Sequence, residues 1–334
     1  MARIPEVVVA MDWGGTWARA SVANKNGQLL WDTRLPNVVG GSKEQLLEDA
    51  ESVLRQAIDW CGERQIAGIG IAAAGPIDAD TGTFYAPPNL AVLDGVSIKE
   101  MWESKLGYPV FIGNDANLAA LGELNYGAGL DARNQGRPIR TLVYVTVSTG
   151  VGGGVMDRGQ VLLGANGMAS EVGHMTIDSS EGAPRCQCGN TGCLESLASG
   201  TSIARAARVR LNDPGLLPSS LAGHDVESIT AEAVFAAAAQ GDRLSQSVLD
   251  GVVWALSVGL TNLLHLFNPD IIVLGGGVTR GLTEAGLLGS INDGILQRAM
   301  SERHKNFSLA SSKLGDSVGM IGAASLVWQE LGLA

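Results

Sequence analysis

The pattern that most constrains the fold of this chain occurs twice. An apolar, β-branched run, Val7–Ala10, reaches Asp12 and turns at Gly14-Gly15. The alternating run Thr16–Ala23 follows, then a turn at Lys25-Asn26-Gly27 and a third run, Leu29–Leu35. Three strands joined by tight turns read as an antiparallel meander. Ser42 then caps a helix to about Glu63, Ile66–Ala74 reads as a buried strand ending at Gly75-Pro76, and Val110–Ile112 leads through Gly113 into a helix over about Asp115–Tyr126. The second occurrence starts at strand Thr141–Val147, with a glycine-rich turn at Ser148–Gly154 and a continuation through Val155–Arg158 and Val161–Leu163. Helices over about Thr201–Leu211, Ala231–Gln240 and Leu244–Phe267, a strand at Ile271–Leu274, a turn at Gly275–Gly277 and a final amphipathic helix, Val318–Leu331, complete it. A repeat of this kind is the signature of an internally duplicated α/β unit, and 334 residues suit about two domains at ~150 residues each.

Each of the two turns sets short polar side chains beside glycines whose amides lack side-chain cover: Asp12 with Thr16, and Ser148 with Thr149. Singly, each reads as an ordinary hairpin; as a facing pair they suit a polyphosphate held from both sides. The charge balance fits this better than nucleic acid. With 34 acidic and 23 basic residues the net charge is −11 and no Lys/Arg-rich run exists, whereas nonspecific nucleic-acid binding needs clustered cations. Aromatic residues, 5% of the chain, are too few for a single-strand stacking platform.

A second signal is metal-like. His174 with Cys186, Cys188 and Cys193 supplies one imidazole and three thiols, a tetrahedral set suited to zinc; four protein ligands leave no open position, so such an ion is structural. Three crowded cysteines and a lone Cys61 are no disulfide framework and point to a reducing, cytoplasmic setting. The apolar start is too short for a signal sequence, and no membrane span is expected. Glu171 and Glu195 flank the cluster. They read either as solvated charges or, held with His174 towards one pocket, as ligands for the hydroxyls of a polyhydroxylated molecule. Asn114-Asp115-Ala116-Asn117 spans a strand end and a helix start. Asp115 is there either the cap or a first-turn carboxylate, and either structural or a general base taking a proton from a substrate hydroxyl during phosphoryl transfer. No Gly-x4-Gly-Lys-[Ser/Thr] loop occurs, and Gly275-Gly276-Gly277 lacks dinucleotide-binding spacing, so it reads as a turn or as a close backbone approach to a nucleotide. His224, His265 and His304 have no clustered partners and read as structural or surface residues.

Five motifs in order, Asp12-Trp13-Gly14-Gly15-Thr16, Asn114-Asp115-Ala116-Asn117, Ser148-Thr149-Gly150-Val151-Gly152-Gly153-Gly154, Glu171-Val172-Gly173-His174 and the cysteine knuckle with Glu195, resemble the ROK family of bacterial sugar kinases and related repressors. The resemblance covers essentially the whole chain and is closest to the family's glucokinases. It implies the actin-like, ribonuclease H-like fold, with two α/β domains around a cleft: 1–116 with 317–334, and 117–316 carrying the knuckle at 174–193. It implies that Asp12, Gly14, Gly15 and Thr16 bind phosphate and Mg²⁺, that Thr149, Gly150 and Gly152 hold further phosphates, and that Gly275, Gly276 and Gly277 approach the adenosine of ATP. Gly75, Asn89, Asn114, Glu171, His174 and Glu195 would bind the sugar, with Asp115 as base on its 6-hydroxyl, in a homodimer serving glycolysis. The rival readings are a kinase for mannose, fructose, N-acetylglucosamine or N-acetylmannosamine, polyphosphate as donor, and a sugar sensor without catalysis. Two positions depart from the family pattern: Trp17, where Lys or Asn is common, and Ser170, where glycine usually precedes the glutamate. The first strand begins by about residue 6, so the helix-turn-helix that precedes it in family repressors is not expected.

Overall fold

The computed structural model describes residues 5–37, 41–212, 218–223 and 225–333; His224 lies outside them. The first meander forms as β1 (Val7–Trp13), β2 (Trp17–Asn24) and β3 (Leu29–Pro36), followed by α1 (Lys43–Cys61), β4 (Ile66–Ala73), α2 (Lys99–Leu106), β5 (Val110–Asn114), α3 (Asp115–Tyr126) and α4 (Ala128–Asn134). The second comprises β6 (Thr141–Val147), β7 (Val151–Asp157) and β8 (Gln160–Val161). After it come α5 (Leu194–Ala198), α6 (Gly200–Leu211), α7 (Ala231–Ala239), α8 (Arg243–Phe267), β9 (Ile271–Gly275), α9 (Gly277–Glu284), α10 (Leu288–Arg298), β10 (Ser308–Ser311) and α11 (Val318–Glu330).

The duplication is visible in the strand order. One sheet runs β3-β2-β1-β4-β5 and the other β8-β7-β6-β9-β10, so a meander leads into two further strands in the same sequence in both. In the first sheet β1 pairs antiparallel with β2 and parallel with β4, which in turn pairs parallel with β5. In the second, β6 pairs parallel with β9, and β9 with β10. This is the mixed-sheet, actin-like arrangement the resemblance implies. Strands β1 and β9 are buried along nearly their whole length because helices cover both faces of the sheet, which is why they read as unbroken apolar runs.

Three expectations change. The second turn is shorter than Ser148–Gly154, because Gly152, Gly153 and Gly154 already lie in β7; glycine there does not break the ladder. The continuation at Val161–Leu163 is a two-residue strand, Gln160–Val161. The last helix is not amphipathic: Gly319 through Ser325, Val327 and Trp328 are all buried, since α11 packs on α3, β4 and β1 together. By length and composition alone α8 is apolar enough to cross a membrane, yet most of it is buried inside the protein, in keeping with the expectation of no membrane span. It is a core helix, with Leu244, Val248, Leu256, Leu260 and Leu264 buried and α5, α6, α7 and α10 packed on it.

The described residues of Met1–Ile139, Gly154–Ala169 and Lys313–Ala334 form one compact unit, and those of Arg140–Gly153 and Ser170–Ser312 a second. The boundary expected at 116/117 would cut α3, which stays whole in the first unit because it packs along α11. The core of that unit centres on Trp13, whose ring meets Phe84 edge-on at 5.7 Å and Trp102 at 5.6 Å. All three are fully buried, fastening the end of β1 to the segment after β4.

Candidate active site and metal centre

In the first unit the candidate residues gather at the carboxyl ends of three neighbouring parallel strands. Trp13 is in register with Ala73, and Ala73 with Asn114, so Asp12, Gly75 and the Asn114-Asp115 pair emerge from the same edge of the sheet. Ligand sites of open α/β sheets collect at such edges. A cavity of about 250 Å³ opens there, lined by Asp12, Gly14, Gly15, Thr16, Trp17 and Arg19. Asp12 and Arg19 are directly opposed across β1 and β2. Burial pushes the Asp12 carboxyl above its ordinary value, and the Arg19 guanidinium pulls it partly back. The carboxylate lies against α11, where a Cβ on Gly319 would come within 2.8 Å of its Cγ; glycine is required at that position for Asp12 to keep its place. Gly15 abuts Asn89, and Gly75 abuts the amide of Asn114.

The cap of α3 resolves as Asn114, whose Oδ1 accepts from the N–H groups of Ala116 at 3.0 Å and Asn117 at 3.2 Å. Asp115 is therefore the first helical residue, at the positive end of the helix dipole, and its Oδ1 accepts from Ala116 N–H at 2.8 Å. It is only partly buried.

In the second unit, Ser148 and Thr149 are exposed at the end of β6. The turn is pinned from behind: Gly200 N–H donates to Ser148 O at 2.7 Å, and the Thr201 hydroxyl to Thr149 O at 2.9 Å. Glu195 braces the turn as well. Its Oε2 accepts from Val151 N–H at 3.0 Å and lies where a side chain at Gly150 would clash. Gly276 has φ +90°, opening α9 from the end of β9 in a conformation other residues avoid, and Gly277 faces open space. Glu171 is exposed and starts the short turn that carries His174.

The knuckle is assembled as expected. One donor atom each from His174, Cys186, Cys188 and Cys193 lies within 4.8 Å of all the others. Cys188 and Cys193 Sγ are 3.8 Å apart, and Cys186 Sγ is 3.6 Å from His174 Nδ1. A tetrahedron with Zn–S bonds of about 2.3 Å has edges of roughly 3.8 Å, so the cluster fits a zinc ion bound through Nδ1, with the other ring nitrogen turned away from it. Without a cation, burial pushes the Cys193 thiol up to about 12, while backbone donors lower Cys188. Glu195 Oε1 stands 3.8 Å from Cys186 Sγ, so one carboxylate touches both the knuckle and the turn.

Several contributors were not picked out from sequence. Arg19 was discoverable: counting back from the first turn pairs it with Asp12. Asn37, Glu123 and Thr201 carry no local signal. Glu123 is fully buried on α3, where it accepts from Ala128 N–H at 2.8 Å and from Lys313 and Leu314 N–H at 3.0 and 3.2 Å, tying α3 to the segment entering α11.

The model of the ROK family matches residues 8–330. A glucokinase of Thermotoga maritima is 32% identical over 328 residues, covering 97% of this chain and 98% of its own. A putative xylose repressor of a Caldicellulosiruptor species is 31% identical over 97% of this chain and 79% of its own. Among solved structures, a ROK family glucokinase from Streptomyces griseus in complex with glucose and AMPPNP superposes with a TM-score of 0.76 at 27% identity, covering 97% of this chain and 99% of that one. With the strand order, the knuckle and a full-length match in agreement, this chain belongs to the ROK family.

Proposed function

We propose that this protein is an ATP-dependent hexose kinase that phosphorylates the 6-hydroxyl of its sugar, with glucose as the preferred substrate and Asp115 as general base. The observation that carries the reading is the common strand edge of the first unit, from which the Asp12–Arg19 cavity and Asp115 both emerge. Two strand spacings separate them, about 10 Å, a span suited to a phosphate chain on one side and a hydroxyl on the other. Support also comes from the T. maritima and S. griseus glucokinases.

In this reading ATP supplies the phosphoryl group and Mg²⁺ the charge that neutralises it. Asp12 would hold the cation, and the amides of Gly15 and Thr16 with the Arg19 guanidinium would meet the phosphate oxygens; Gly14, whose own N–H donates to Trp17 O at 3.1 Å, keeps the backbone of the turn clear. Thr149, Gly150 and Gly152 hold further phosphate, and Gly275–Gly277 line the adenosine. Asn114, Glu171, His174 and Glu195 bind sugar hydroxyls, with Gly75 and Asn89 shaping the site. Asp115 accepts the 6-hydroxyl proton as its oxygen attacks. A carboxylate suffices, because phosphoryl transfer asks chiefly for positioning and charge stabilisation. His174, Cys186, Cys188 and Cys193 would hold a zinc ion, whose contribution would be to fix the orientation of His174. A homodimer acting at the entry to glycolysis in the cytoplasm completes the reading; light scattering on the purified protein tests the dimer.

A sugar panel with Mg²⁺ and either ATP or polyphosphate, read as kcat/KM, tests the assignment. Glucose with ATP is expected to lead; a higher value for another hexose or for polyphosphate reassigns substrate or donor. The repressor relative favours one other reading, a sugar sensor without transfer. Tight glucose binding with no glucose-dependent ADP release would select it.

A further inference from the structure

The first phosphate-type turn is held in shape by a residue outside every motif. Asn37 follows β3 directly and is only 8% exposed. Its backbone N–H donates to Thr16 O at 2.8 Å, and its side-chain Nδ2 donates to Gly14 O at 2.6 Å. Both acceptors belong to the turn, and Asn37 is not among the residues lining the cavity. It holds the turn without lining the cavity.

Peptide geometry gives this grip a direction. In a trans peptide the C=O and the following N–H point opposite ways. Drawing Gly14 O towards Asn37 therefore turns the Gly15 N–H away from it, and drawing Thr16 O turns the Trp17 N–H likewise. Gly15, Thr16 and Trp17 line the cavity, so the amides that an anion would meet are aimed by the carbonyls that Asn37 holds. The side chain accepts an unfavourable state to do so: its Oδ1 is buried with no partner among the described residues, a condition proteins avoid unless something else requires it. An apolar residue would fill the space without that orphan, and an aspartate would lack the donor. What the amide uniquely supplies here is one neutral N–H aimed at Gly14 O.

We infer that Asn37 is a positioning residue for the phosphate groups of the donor, setting nucleotide affinity through the backbone of the Gly14–Thr16 turn without touching nucleotide or sugar. The inference rests on the reading of that turn as the nucleotide phosphate site and extends it to a residue behind the turn.

The test uses the full-length protein and three forms: wild type, Asn37→Ala and Asn37→Ser. Asn37→Ala removes the side-chain donor and keeps the backbone bond to Thr16; Asn37→Ser restores a shorter donor without adding charge. Calorimetric Kd for Mg·ATP, the KM of ATP, the KM of the sugar and the melting temperature are measured for each. Asn37→Ala is expected to raise the Kd and KM for ATP about tenfold, the loss expected when a charge-assisted contact is misaimed, and to leave the sugar KM within twofold. Asn37→Ser should recover part of the ATP affinity. Unchanged ATP affinity in Asn37→Ala overturns the inference, as does a parallel rise in both KM values, which marks a merely structural role. Should Asn37→Ala not fold, Asn37→Ser decides alone, with an ATP-specific rise supporting the inference and none overturning it. Wild type that binds no Mg·ATP would instead sink the underlying reading of the turn, an outcome distinct from failure of the variants.

Discussion

The turns at Gly14–Thr16 and Ser148–Gly150 occupy the same place in two copies of one topology, each following the first strand of its meander. They are furnished differently. The first is charged: Asp12 is buried against α11 and opposed by Arg19, and a side-chain amide braces the turn from behind. The second is neutral at its surface, offering Ser148 and Thr149, and its bracing carboxylate, Glu195, is also 3.8 Å from a cysteine of the knuckle. Duplication supplied the same backbone twice, and the side chains then divided the labour. The charged pair belongs to the first unit, while the second unit's turn is braced by a carboxylate that also reaches the Cys3His cluster. This division can be broken at either end.

The largest expected effect is in the first unit. Asp115→Asn keeps the shape of the helix start and removes the proton acceptor, so kcat should fall about 10²–10⁴-fold with sugar affinity changed only a few-fold. Near-normal turnover would strike Asp115 from the mechanism and leave the first unit without its chemical role. The second test dismantles the other side. Purified protein should carry one zinc per chain; Cys193→Ser should lose it, lower the melting temperature of the second unit by roughly 5–10 °C, about 3 kcal/mol for a unit of that size, and raise the sugar KM more than the Kd for Mg·ATP. Metal analysis finding no zinc in fully active protein would remove both the ligand set and the proposed orientation of His174.

Asp12 offers a smaller, pH-dependent contrast. Burial raises its carboxyl in the folded state, with Arg19 opposing the shift, so ionising Asp12 costs the folded protein stability. The sign follows from linkage: the stabilising, protonated form is fully present only below the unfolded carboxylate value and is lost as pH rises through the higher folded value. Asp12→Asn should therefore raise the melting temperature of the ligand-free protein by a few degrees at pH 7–8, with the gain fading as pH falls, while Mg·ATP binding weakens severely. A lower melting temperature at pH 8 would mean that Asp12 is well paired where it sits, and that the first turn stores no electrostatic strain.

How much of this was legible in the sequence depends on the range of the interaction. The duplication, the knuckle and the helix start at Asn114 are written in local spacing, because a turn, a metal site with close ligands and a capped helix each depend on residues a few positions apart. Gly152–Gly154 look like loop in the sequence, yet they lie within β7, so the second turn is shorter than its glycines suggest. The even burial of α11 was invisible because it comes from α3, β4 and β1 converging on it. In the same way, α3 packs with a helix some 200 residues later, which local spacing does not record. Asn37 and Glu123 act through backbone groups of distant segments, and such contacts leave no trace in spacing.

The smallest effect concerns the start of the second unit's binding segment. Ser170 adopts φ +68° immediately before Glu171, and its Oγ is buried without a partner among the described residues. The left-handed region costs a residue with a Cβ about 1–2 kcal/mol, and glycine, the usual occupant in the family, escapes that penalty while adding roughly 0.5–1 kcal/mol of chain entropy to be lost on folding. Removing the orphan hydroxyl adds to the gain. Ser170→Gly should thus stabilise the protein by about 1 kcal/mol, a rise of roughly 2–4 °C in melting temperature. If the strain is incidental, the sugar KM stays put. If it drops or rises several-fold instead, the serine is part of how this chain sets Glu171 against its sugar, and the second unit tunes its grip by backbone strain as well as by metal, where the first relies on charge.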